Sequence, residues 1–102
     1  MPYTVSFVNA HPGGFKPRQY FLTLTWTDST DPNAASVNVY RSTVSGGPYT
    51  QIATGIPMGT QLYNDYAVTV GTTYYYVLTE VDNSAQESGY STERSGTPGW
   101  IP

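Results

Sequence analysis

The chain has 102 residues, no cysteine and a net charge of −3; only 11% of its residues are charged and ten are tyrosine. That length allows one domain whose core must hold by packing alone, since no disulfide or thiolate metal site is available. The low, slightly acidic charge excludes a phosphate-binding surface, and no apolar run reaches the ~20 residues of a membrane helix.

The first segment, MPYTVSFVNAHPGG, lacks the basic start and continuous apolar stretch of a signal peptide. Its alternation predicts a strand over 3–9, with Tyr3, Val5 and Phe7 on one face and a turn at HPGG, 11–14. A second strand is predicted over 19–27, where Leu22, Leu24 and Trp26 share a face and threonines line the other. Strands over 36–42, 48–54 and 60–66 follow, separated by SGGP and the Gly55–Gly59 stretch. The sixth strand, 72–82, points Tyr74, Tyr76 and Leu78 inward; the seventh is predicted over 89–97 after the turn DNSAQESG. No window carries the 3.6-residue apolar period of a helix. Seven short alternating strands predict an all-β, seven-stranded immunoglobulin-like antiparallel β-sandwich. The expected core is Leu22, Leu24, Trp26, Val37, Val39, Tyr74, Tyr76 and Leu78. The expected domain covers 1–98, with 99–102 as a C-terminal tail.

Over residues 20–98 the chain resembles a fibronectin type III domain of the variety common in bacterial and phage proteins. The resemblance is carried by LTLTWTDSTDPNAASVNVYRS, SGGPYTQIATGI and LYNDYAVTVGTTYYYVLTEVDNSAQESGYS, in that order. It implies that Trp26 fills the core centre. It also implies that Tyr74, three residues after Gly71, is a tyrosine corner whose hydroxyl bonds upstream backbone. Tyr63 and Asp65 match a recurrent pair on the preceding strand. Glu80 and Arg94 depart from the family pattern, which has small apolar residues there. A hairpin centred near Gln86–Glu87 sets these two opposite each other and predicts a cross-strand ion pair.

Candidate chemistry is sparse. The single histidine, His11, lies in a Pro-Gly-Gly context, and no serine occupies a G-x-S-x-G setting, so no hydrolytic triad is supported. Asp28 and Asp31 are spaced like a carboxylate pair or hard-metal ligands, but Asp31 precedes Pro32 as turn residues do. One histidine and no cysteine do not make a zinc site. Lys16, Arg18, Arg41 and Arg94 are too few for a nucleic-acid stripe. No cofactor is implied.

Outward-pointing aromatics remain. Tyr40 and Tyr75 are expected side by side on one sheet face, and Trp100 follows the last strand. These three are the candidate partner-binding residues, suited to a protein partner or to a sugar ring. The resemblance implies a non-catalytic structural and interaction module on a cell-surface or virion assembly, such as a phage capsid decoration or tail component. Met1 and the missing leader and disulfides favour that stand-alone context. The alternative is an accessory spacer or carbohydrate-binding module of a secreted polysaccharide-degrading enzyme. Either context places the chain outside the cell or on a virion surface, with a protein assembly or a polysaccharide as partner and no membrane insertion.

Overall fold

In FLTLTWT, residues 21–27, Leu22, Leu24 and Trp26 are buried and the threonines between them are not. A strand with one apolar face must cover it with a second layer. The computed structural model describes the backbone of residues 6–13 and the whole of residues 21–98. Strands β1 (Ser6–Gly13), β2 (Phe21–Thr27) and β5 (Leu62–Asp65) form one antiparallel sheet, in the order β1-β2-β5. Strands β3 (Ala34–Ser42), β4 (Thr50–Pro57), β6 (Tyr74–Asp82) and β7 (Arg94–Gly96) form the other, in the order β4-β3-β6-β7.

The buried cluster between the sheets is Leu22, Leu24, Trp26, Val37, Val39, Tyr74, Tyr76 and Leu78. These are the eight residues that alternation predicts. Each aliphatic or aromatic side chain buried there contributes roughly 1.5–3 kcal/mol. The tyrosine corner forms: the Thr69 N–H donates to the Tyr74 hydroxyl at 2.8 Å.

The largest departures from the expected boundaries are at the end of β1 and the start of β7; β4 also runs on through Gly55 to Pro57, where a turn is expected. The chain does not turn at His11; β1 continues to Gly13 and pairs Pro12 with Leu22 and Gly13 with Phe21. An edge strand tolerates proline because its missing N–H can face the open side, and β1 is an edge. The seventh strand does not begin at Gly89 but at Arg94.

The reason lies in two serines. Ser88 donates its N–H to the Glu80 carbonyl at 2.8 Å, and its hydroxyl accepts the Glu80 N–H at 2.9 Å. Ser91 does the same for Leu78, at 2.8 and 2.9 Å. Each serine therefore satisfies both backbone groups of one β6 residue, a task that otherwise takes strand carbonyls as well as strand N–H groups. Each hydroxyl in turn donates to the next carbonyl, of Gly89 or Thr92. Residues 88–93 thus follow the edge of β6 without the even spacing of a ladder.

The register is set before this path begins: Val81 stands opposite Glu87 and the Asp82 N–H donates to the Gln86 carbonyl at 3.0 Å, so the hairpin centres near Ser84 and not at Gln86–Glu87. Arg94 stands opposite Tyr76, and Gly96 opposite Tyr74. The predicted Glu80–Arg94 pairing is wrong by four residues along β6. Glu80 is fully buried, and its Oε2 accepts a hydrogen bond from the Ser29 hydroxyl at 2.7 Å.

Candidate binding face

The outer face of the four-stranded sheet is set by the pleat. Side chains of β3 and β6 that alternate with the core positions point away from it. Tyr40 pairs with Val77 and Ser42 with Tyr75, so Tyr40 and Tyr75 do share this face. They do not pack as a ring pair, because their registers are two residues apart. Tyr75 is half-buried beside Ser42 and Ser95. Trp100 and the tail 99–102 lie outside the described residues, as do the side chain of His11 and the residues Lys16 and Arg18.

Tyr40 instead meets Tyr90, with ring centroids 5.3 Å apart and planes inclined at 65°. Tyr49 approaches the same ring from β4's leading loop, at 5.2 Å and 75°. Tyr90 is therefore flanked by two edge-to-face partners, the geometry that the ring quadrupole favours. It remains 52% exposed. The path of residues 88–93 brings it here: Ser88 and Ser91 pin the chain to β6 and leave Gly89–Tyr90 arched over the sheet.

Two carboxylates lock the flanking rings. Glu87 Oε2 accepts hydrogen bonds from the Tyr40 hydroxyl, the Thr79 hydroxyl and Asn38 Nδ2, the last at 3.2 Å. Gln51 donates to the Tyr40 oxygen at 3.2 Å. Glu93 accepts from the Tyr49 hydroxyl, from the Ser45 hydroxyl at 2.8 Å and from the Gly46 N–H at 2.8 Å. Partial burial works to raise the Glu87 pKa, but the three donors outweigh it and hold the carboxyl below its ordinary range. At Glu93 the Gly46 N–H leads, with Tyr49 and Ser45, in lowering the pKa. The Tyr49 phenol is pushed up to about 12, chiefly by its bond to Glu93. Tyr40 is raised first by burial and then by Glu87.

A cleft of about 240 Å³ opens beside this cluster, lined by Tyr40, Thr79, Glu87, Ser88, Gly89 and Tyr90. Sequence reasoning found Tyr40 and missed Tyr49, Glu87, Tyr90 and Glu93. The available signal was a lone aromatic in an otherwise small and polar run, ESGYSTE.

The remaining acids are structural. Asp28 accepts from the Trp26 indole at 3.2 Å and the Gly59 N–H at 2.7 Å, and Asp31 accepts from the Asn33 N–H at 2.9 Å. Asp82 caps its own turn through the N–H groups of Ser84 and Gln86. Asp65 binds Arg41 at 2.7 Å and the Tyr76 hydroxyl at 2.7 Å. All seven carboxylates of the chain thus accept hydrogen bonds from within the domain. The described residues hold no group of three or more His, Cys, Asp or Glu side chains able to bind a metal ion.

No protein-family model matches the sequence. A crystal structure of a Fn3-like protein from Clostridium thermocellum superposes with a TM-score of 0.78 at 38% identity, over 94% of this chain and 92% of that one. A segment of an amylopullulanase from Thermoanaerobacter thermohydrosulfuricus is 43% identical over 81 residues, 76% of this chain. A second amylopullulanase, from Thermoanaerobacterium thermosulfurigenes, is 35% identical over 82 residues. The chain spans only about 5% of the length of the first of these enzymes and 4% of the second.

Proposed function

The chain belongs to the fibronectin type III-like family, and on that premise we propose that it is a non-catalytic accessory module of a polysaccharide-degrading enzyme. The match to a short segment of an amylopullulanase, at 43% identity, carries this reading. The carboxylates support it. General acid–base or nucleophilic work at a glycosidic bond needs two carboxyl groups facing a substrate. Here each carboxylate already braces a turn, a ring or a strand. The virion reading has no counterpart among these relatives, so the accessory reading replaces it. The module acts outside the cell, with its domain boundary at residue 98.

Two measurements test this. The isolated chain incubated with pullulan should release no reducing ends; release above a heat-killed control would make it an enzyme. The complete reading frame around the chain should encode a catalytic domain for polysaccharide cleavage. A frame that encodes a virion component instead would overturn the proposal.

A further inference from the structure

We propose that the cleft between Tyr40, Glu87 and Tyr90 is a binding subsite for one ring of a neutral polysaccharide. Its choice of ligand rests on the accessory-module reading above; its location and chemistry rest on geometry.

The Tyr90 ring is exposed, and its position is fixed by two neighbouring rings. Those neighbours are themselves tied by their hydroxyls to Glu87 and Glu93. An aromatic surface held this way loses little conformational freedom when a ligand arrives, so contact energy is not consumed in ordering it. By contrast, Tyr66 is similarly exposed but among the described residues has a single ring neighbour, Phe21.

The polar groups left unmade point to the same ligand. Among the described residues the Tyr90 hydroxyl has no hydrogen-bond partner. All three donors at Glu87 converge on Oε2, and Oε1, on a residue that lines the cleft, has no donor among the described residues. A flat apolar surface beside one hydroxyl and one charged acceptor matches a pyranose, which offers C–H groups on its face and hydroxyls at its rim. The volume of about 240 Å³ is below the roughly 300–1,000 Å³ of a pocket for a drug-sized molecule, which suits a single ring of a chain. The charge selects further. Glu87 and Glu93 are both held ionised by their donors, so a polymer bearing carboxylates is repelled.

One ring on one platform binds weakly, with a Kd on the order of 1 mM. The test is amide-resolved NMR titration of the 102-residue chain with pullulan, a β-1,2-glucan and polygalacturonate, to about 10 mM sugar ring. A neutral glucan should shift the amides of Thr79 and Glu87–Ser91 and leave those of Leu62–Tyr66 in place. Tyr90→Ala should weaken binding at least tenfold. Tyr90→Phe keeps the ring and should stay within about threefold of the parent chain, since the lost hydroxyl is one bond at the rim. Tyr66→Ala should change nothing. The inference is overturned if neither neutral glucan shifts these amides, if the shifts map to another face, or if polygalacturonate binds as well as the glucans. A silent titration from a chain whose reading frame does encode a polysaccharide-degrading domain overturns the subsite alone. A virion reading frame overturns the function and leaves the titration to decide the site.

Discussion

Two buried acids sit at opposite ends of the same core and are treated differently by the fold. Asp65 is 2% exposed and satisfied on every side. Its Oδ2 takes the Arg41 guanidinium and the Tyr76 hydroxyl, and its Oδ1 takes the Ala67 N–H at 3.1 Å. Arg41 is held in turn by the Ala67 carbonyl and lies 5.3 Å from the centre of the Tyr74 ring. Glu80, four residues from Tyr76 on the inward face of β6, is fully buried with one partner, Ser29. Its Oε1 has none. A charge removed from water is tolerated when paired and fully hydrogen-bonded, and an orphaned acceptor costs about 1–3 kcal/mol. Burial alone therefore does not make an acid a strut; the number of donors aimed at it does.

The sharpest way to break this comparison is to remove each acid. Asp65→Ala strands the Arg41 charge and the Tyr76 hydroxyl, and should cost about 3–5 kcal/mol in urea unfolding. If it costs no more than a surface substitution, the Asp65 end is not the anchor described above.

Next in size are the serines that hold the backbone beside Glu80. Ser91→Ala leaves the Leu78 N–H buried without an acceptor, and Ser88→Ala does the same to Glu80. Each should lose about 1–3 kcal/mol. Hydrogen exchange should accelerate selectively at the affected amide. Uniform acceleration across β6 would mean that the serines act through global stability instead.

Glu80→Met keeps the volume and removes the orphaned oxygen, leaving Ser29 still bonded to the Asp31 N–H at 3.3 Å. It should raise stability by about 1 kcal/mol. A loss of that size would place Glu80 in the same class as Asp65.

The smallest effect separates these core acids from the surface pair. Glu87 and Glu93 have folded pKa values below the ordinary 4.5. Their contribution is therefore present above that value and fades as pH falls through the folded value. The melting temperature should decline between about pH 5 and pH 3, and Glu87→Gln with Glu93→Gln should flatten this limb. In Glu93→Gln the Tyr49 phenol, no longer beside a carboxylate, should titrate closer to 10 than to 12 when followed by its ultraviolet absorbance. An unmoved Tyr49 would detach that ring from Glu93.

The site was less legible than the core. Tyr40 could be placed on the outer face because its neighbours Val39 and Arg41 point inward, and its pairing with Val77 agrees. Tyr90 could not be placed, because its predicted strand would have run straight past Tyr40. Asp28 and Asp31 were read as turn formers; Asp31 does accept the Asn33 N–H of its own turn, whereas Asp28 bonds the Trp26 indole and the Gly59 N–H of the loop after β4. Asp65 was marked by resemblance, but its partner Arg41 comes from the opposite sheet and is 24 residues away in sequence.

What the sequence determined alone is everything that follows from a period of two. Side chains on one strand alternate by covalent geometry, so the eight core residues could be read without knowing any neighbour; the corner role of Tyr74 came from the resemblance. What only the tertiary structure decided is which residues stand opposite one another between β6 and β7. Counting through a hairpin assumes that the turn's centre is known and that every residue takes one ladder step. The turn closes with Val81 opposite Glu87, so the hairpin centres near Ser84 and not at Gln86–Glu87, and that moved Arg94 away from Glu80; Ser88 and Ser91 then replace ladder steps with hydroxyls on the path that brings Tyr90 against Tyr40.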